Sequence, residues 1–204
     1  MRPTQNWHLD SPPDTDVDVA QDLVELRAPL VGVRRDETGA WSFEGPADSV
    51  GDSVVMTLGD VVNAWPHVAV LDDLAPGQVA WWDWSDNGWH IGALVGDAEI
   101  PAVDLHEEAW PQELPLETTA VVERAVVTGE RPLADVQRDV EGFSFVGPPK
   151  DTEPVPEEFM LVRLTDAVRR WPHSLGVVAA LQPGEGVEWD AEQRHWEGYE
   201  FTRG

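Results

Sequence analysis

At 204 residues, 42% of them apolar and 11 of them tryptophan, the chain has ample material for a packed core and is not a disordered polypeptide. It has no cysteine, which excludes disulfides, thiol catalysis and cysteine-ligated metal centres, and it has no run of about 18 apolar residues that would suggest a transmembrane helix. With 39 acidic against 13 basic residues the net charge is −26, a field that repels nucleic acid and anionic membranes and draws basic partners inward. Both halves share it: residues 1–101 carry 18 acids and 4 arginines (−14), and residues 102–204 carry 21 acids and 9 bases (−12). Such acidity has two readings, a binding device or a habit of a salt-adapted or high-GC organism. The polar, proline-bearing start is unlike a signal peptide, so a cytoplasmic protein is expected.

The first twenty residues resemble loop, with Trp7 expected to pack onto the core. Asp14, Asp16, Asp18 and Glu25 fall at positions 1, 3, 5 and 12 of a calcium-loop frame, a weak metal candidate because Val19 stands where that loop needs glycine. Alternation through Val31 and Val33 predicts a strand, and Glu37-Thr38-Gly39 turns it into a second strand carrying Trp41 and Phe43. Gly45-Pro46 ends that hairpin. Leu58, Val61, Val62 and Trp65, at i, i+3, i+4 and i+7, predict an amphipathic helix with a Thr57–Asp60 cap and a stop at Pro66. His67, just past the stop, has the position of a residue that satisfies helix-end carbonyls. A last hairpin turns at Asp86-Asn87-Gly88; its alternation sends Ala80, Trp82 and Trp84 to the core and leaves Trp81 and Asp83 outside.

The whole plan then recurs. TGAWSFEGP returns as VEGFSFVGP, TLGDVVNAWPH as RLTDAVRRWPH, and GQVAWWDWSDNGW as GEGVEWDAEQRHW, at offsets that grow from 102 to 107. The predicted second helix face is Leu164, Ala167, Val168 and Trp171, and His67 recurs as His173. A tandem duplication follows, with units 1–101 and 102–204. The expected fold is α+β: two similar units, each a small antiparallel sheet with one main helix packed on it, related by a pseudo-two-fold.

The sequence holds no phosphate-binding glycine loop, dinucleotide fingerprint or nucleophile elbow, and its histidines lack metal-ligand spacing. No catalytic residue and no cofactor are expected. The candidates are residues for contact: an outward Trp81 among acids suits a protein hot spot or sugar stacking. The predicted partner-binding set is Trp81, Asp83, Asp86 and Trp89, with Glu188 and Asp190 as the matching edge of the second unit.

The order AVVTGERPLADVQRD, GFSFVGP, LTDAVRRWPHSLGVVAALQPGEGVEWD resembles a bacterial domain family long catalogued as of unknown function and grouped with the immunity proteins of polymorphic toxin systems. Gly142, Phe143, Phe145, Gly147, Asp166, Leu181, Gly184 and Asp190 match its layout, as do Ala40, Trp41, Phe43, Gly45, Asp60, Leu74, Gly77 and Asp83. The family's acidic pair after the aromatic segment is replaced here by Pro46-Ala47-Asp48 and Pro148-Pro149-Lys150. The resemblance implies a non-enzymatic interaction protein that neutralises a toxin by binding it, the partner being a basic protein rather than nucleic acid or membrane. A carbohydrate-binding module built on the tryptophan cluster is the other expectation.

Overall fold

A computed structural model describes residues 7–47, 51–94 and 100–201. The fold is α+β, two six-stranded mixed sheets of similar topology with a few short helices. Sheet A runs β4 (Ser53–Thr57), β1 (Asp16–Ala20), β3 (Trp41–Glu44), β2 (Gly32–Arg35), β5 (Gln78–Asp83), β6 (Gly88–Ala93). Sheet B repeats that order with β10 (Phe159–Arg163), β7 (Thr119–Glu123), β9 (Phe143–Val146), β8 (Asp135–Arg138), β11 (Glu185–Asp190) and β12 (His195–Glu200). Part of the stretch joining the halves, 95–99, lies outside the described residues, as does Asp48. Among the described residues no helix is long and apolar enough to cross a membrane.

The sheets are mixed rather than antiparallel because β1 and β7 insert beside the hairpins. β1 pairs parallel with β3 and antiparallel with β4; β7 does the same with β9 and β10. These strands were not evident in the sequence, where acids on alternate positions of β1 look like loop. Val17 and Val19 are buried while Asp16 and Asp18 face solvent, the period-2 pattern of a half-buried strand. The calcium-loop reading fails for the same reason. Asp14, Asp16, Asp18 and Glu25 are spread over a turn, this strand and the end of α1 (Gln21–Val24), and among the described residues they bring no three ligand atoms together.

The other elements follow the local chemistry. Asp36 folds the β2–β3 turn by accepting from the Thr38 and Ala40 amides, with Gly39 at φ +90, and Asp139 does the same for Glu141 and Gly142. Arg35 lies over Trp41 and donates to the Leu74 carbonyl at 2.8 Å; its repeat, Arg138, lies over Phe143 and donates to Leu181 at 2.7 Å. Helix α2 (Leu58–Ala64) starts on a Thr57 cap, whose hydroxyl accepts from the Asp60 amide at 3.2 Å, and stops before Pro66. Its buried Leu58 and Val61, with Trp65, share a cluster with Trp41 and Phe43; Leu164, Ala167, Val168 and Trp171 from α4 (Leu164–Arg170) and the turn after it cover Phe143 and Phe145 likewise. Trp82 turns inward, as its alternation predicts, but not onto α2. Together with Trp84, Val31 and Val79 it joins the second half's cluster, so the interior is continuous across the halves.

What joins them is a column of four rings: Trp89 stacks on His67, His67 on His173, and His173 on Trp196, with centroids 5.4, 5.2 and 5.2 Å apart. Trp82 meets His67 edge-on and Trp189 meets His173 edge-on. The outer indoles are fastened to the backbone, Trp89 Nε1 to the His67 carbonyl at 2.9 Å and Trp196 Nε1 to the His173 carbonyl at 3.2 Å. Around the column Trp171 Nε1 donates to the Ala64 carbonyl, Asn63 to the Gly129 carbonyl and Arg170 to the Leu23 carbonyl. Both histidines are buried. Burial holds His67 down to about 3, against a raising bond from Nε2 to the Leu30 carbonyl and a further lowering by Arg170; burial, then His67, holds His173 well below the usual range. They are neutral packing groups, although neither caps its own helix.

Candidate partner-binding surface

The hairpin β5–β6 places the predicted residues. Its turn is built on Asp83, whose carboxylate accepts from the Ser85 and Asp86 amides at 2.8 and 3.3 Å, and on Asn87 at φ +49. Strand alternation then sets Trp81 and Asp83 on the outer face of sheet A. Trp81 is half-buried rather than fully exposed, because its ring lies along β6. It stacks on His90 at 5.8 Å and crosses Gly92, where a Cβ would come within 3.1 Å of it.

His90, which sequence reasoning missed, completes this edge. Its Nε2 is 3.0 Å from Asp86 Oδ2 and 3.9 Å from Asp83 Oδ2, and the three side chains offer ligand atoms within 4.8 Å of one another. The signal was available: His90 lies four residues after Asp86 and directly across the strand pair from Trp81. Exposed acidic groups are common on proteins without any ion.

Trp89 belongs elsewhere. It pairs across the hairpin with Trp82, hence shares the inward face, and its indole is spent on the ring column. The structure therefore brings Trp81, Asp83 and Asp86 together and takes Trp89 away. Trp82 and Trp84 are buried, whereas Trp81 and Trp89 are both half-buried and rest against the core, Trp81 from the outer face of the strand and Trp89 from the column.

Glu188 and Asp190 lie on the outer face of sheet B in a different setting. Asp190 accepts from the Gln193 amide and, less strongly, the Glu192 amide, which hold its carboxyl below the ordinary value. Glu188 stands near a buried-edge network in which the Tyr199 hydroxyl donates to Asp135 at 2.5 Å and accepts from Gln137 at 2.9 Å. Burial raises Asp135 despite those bonds, and burial with the neighbouring carboxylate raises Tyr199. Glu123, nearer the other edge, is buried; burial pushes it up, but Lys150, the Gly147 amide and Arg131 more than offset this and leave it lowered.

A second acidic feature opens on the outer face of sheet A, a cleft of about 410 Å³. Asp18 from β1, Asp22 from α1 and Glu44 from β3 line it, with Arg34 ion-paired to Glu44 at 3.2 Å. The alternating aspartates that suggest a calcium loop in the sequence are, once seen as a strand, the signal for this face.

Comparison with protein-family models, with curated proteins and with solved structures finds no match. Carboxylates of β1, β3 and α1 line the cleft, and those of the β5 turn stand with His90 beside the half-buried Trp81 indole.

Proposed function

We propose that this is a non-enzymatic, cytoplasmic protein-interaction protein that binds a basic protein partner through the outer face of sheet A, in the manner of an immunity protein neutralising a toxin. The observation that carries this reading is the placement of Trp81 beside Asp83, Asp86 and His90 on a face that also holds the acidic cleft. An apolar anchor ringed by charge is the composition of a binding hot spot, and a net charge of −26 would speed capture of a cationic partner. The resemblance of both repeats to the immunity-protein family points the same way. We further infer two units, 1–101 and 102–204, related by an approximate two-fold through the His67–His173 contact; the reciprocal ring stacks and indole–carbonyl bonds support it.

The test is co-expression and pulldown with the product of the adjacent gene and with native cytosol. Wild type is expected to retain a basic protein at low salt and release it at high salt. Trp81→Ala should lose that partner while keeping the wild-type circular dichroism. Recovery of no basic protein, or equal retention by Trp81→Ala, defeats the reading.

A further inference from the structure

Each sheet ends at the equivalent place on an open edge strand, β4 in sheet A and β10 in sheet B, and among the described residues no strand lies beyond either. A free edge carries a row of unpaired amides and carbonyls, which proteins usually blunt with charge, proline or a bulge. β10, Phe-Met-Leu-Val-Arg, has neither proline nor a charge before Arg163. Leu161 at its centre is 67% exposed, and Val121, its neighbour on β7, is exposed beside it.

The ladder with β7 fixes which backbone groups are free. The Leu164 amide donates to the Thr118 carbonyl at 2.7 Å, in line with the β10–β7 register. Bonded positions alternate in an antiparallel pair, so Met160 and Val162 bond to β7, while Phe159, Leu161 and Arg163 aim their backbone groups outward. Two of those groups are already used. The Phe159 amide donates to the Pro156 carbonyl, and Arg163, the N-cap of α4, gives its carbonyl to the helix. The open set is the Leu161 amide and carbonyl, the Arg163 amide and the Phe159 carbonyl. That set is self-complementary. With a second β10 antiparallel to it about Leu161, each Leu161 exchanges both bonds with its counterpart, and each Arg163 amide reaches a Phe159 carbonyl. No donor or acceptor is left over.

The side chains obey the same two-fold. Leu161 faces Leu161, and Arg163 faces the Phe159 ring, with Glu157 and Glu158 just before it in the chain. Among the described residues the Arg163 side chain has no ion pair or hydrogen bond of its own. Lys150 bridges Glu123 and Glu158 nearby, and Arg131 also pairs with Glu123, so this edge escapes the acidity of the rest. β4 lacks the match. Ser53 and Thr57 stand where Phe159 and Arg163 do, and Asp18 rather than a valine lies beside Val55.

We propose that β10 is a self-association edge, through which two copies of this chain join sheet B to sheet B as one continuous sheet. A five-residue strand is small against the area a permanent dimer needs, so the association is reversible, with a Kd of about 10–100 μM. It uses sheet B, not the face of sheet A assigned above, and is independent of that reading.

The experiment is sedimentation velocity of the full chain from about 1 to 500 μM, in about 0.3 M salt to screen the net charge of −26. Wild type is expected to pass from monomer to dimer. Leu161→Lys and Leu161→Glu each set like charges face to face at the two-fold and should weaken the dimer at least about tenfold. Both should keep the wild-type circular dichroism, because position 161 is exposed. Mixed in equal amounts they pair unlike charges and should associate at least about fivefold more tightly than either alone. Val55→Lys, the equivalent change on β4, should leave the dimer intact. A chain that is monomeric throughout, an undiminished dimer in Leu161→Lys, a mixture no tighter than its components, or loss of the dimer in Val55→Lys each overturns the proposal.

Discussion

The two hairpins that flank the ring column are made to one plan and finished differently. On the inward side, Trp82 and Trp89 correspond to Trp189 and Trp196, and each pair grips its own histidine in the same way. On the outward side the turn acids Asp83 and Asp190 are kept and the covers differ. In the first hairpin a large Trp81 lies over a small Gly92; in the second a large Tyr199 lies over a small Gly186, and Glu188 stands where Trp81 was. Sheet A exposes carboxylates around its indole, whereas sheet B ties Asp135 to Tyr199 and Glu123 to Arg131 and Lys150. The lesson is that the repeated residues hold the fold and the diverged ones are free to carry contacts, which makes the outer face of sheet A the place to look for function.

Acidification should break what the two hairpins share. His67 and His173 are neutral in the folded protein, with folded pKa values below the ordinary 6.5. The unfolded chain therefore takes up more protons below that value, so their contribution is fully present above about pH 6.5 and is lost as pH falls. Between about pH 7.5 and 5.5, above the range in which carboxylates titrate, the two histidines together should lower stability by roughly 2–3 kcal/mol. Denaturant titrations at the two pH values would show this as a fall in midpoint, and His173→Phe should remove about half of the pH dependence.

A smaller effect separates the outward sides. In Gly186→Ala the new Cβ would lie 2.5 Å from Tyr199 Cζ, and the ring must leave its bonds to Asp135 and Gln137 to make way. The cost should be about 1–3 kcal/mol, and Tyr199→Leu should relieve much of it in a double-mutant cycle. Gly92→Ala meets Trp81 at 3.1 Å, an indole with no such bonds to give up, and should cost less. Equal costs in thermal melts would mean that the two covers are built alike after all.

The smallest effect concerns a position where the first copy is strained. Leu26 holds φ +62 where its repeat, Gly129, holds +76. A leucine pays for that conformation and is half exposed besides, so Leu26→Gly should raise stability by roughly 0.5–1 kcal/mol. A lowered melting temperature would show that the exposed side chain has contacts worth more than the strain.

The sequence made legible whatever repeats at a helical or strand period: the Leu58–Trp65 and Leu164–Trp171 faces, the β2–β3 hairpins, and the inward turn of Trp82 and Trp84. It hid β1, because Asp16 and Asp18 on the solvent side of a strand are the same residue type as a ligand loop. It hid the column as well. His67 and His173 are 106 positions apart, and only folding reveals that their rings meet. Trp89, expected among the contact residues, faces the column because its facing depends on which residue it opposes across the hairpin, and that register is a property of the turn.

The most direct test of the division between an inward scaffold and an outward surface is to unfold Trp81→Ala and Trp89→Ala side by side. Removing Trp89 takes a ring from the column and an indole bond from the His67 carbonyl, and should cost about 3–5 kcal/mol. Removing Trp81, which stacks on His90 and only partly rests against the core, should cost about 1–2 kcal/mol by its partial burial alone. Urea midpoints in that order support the account; equal losses, or a larger loss for Trp81, would place Trp81 in the core and contradict it.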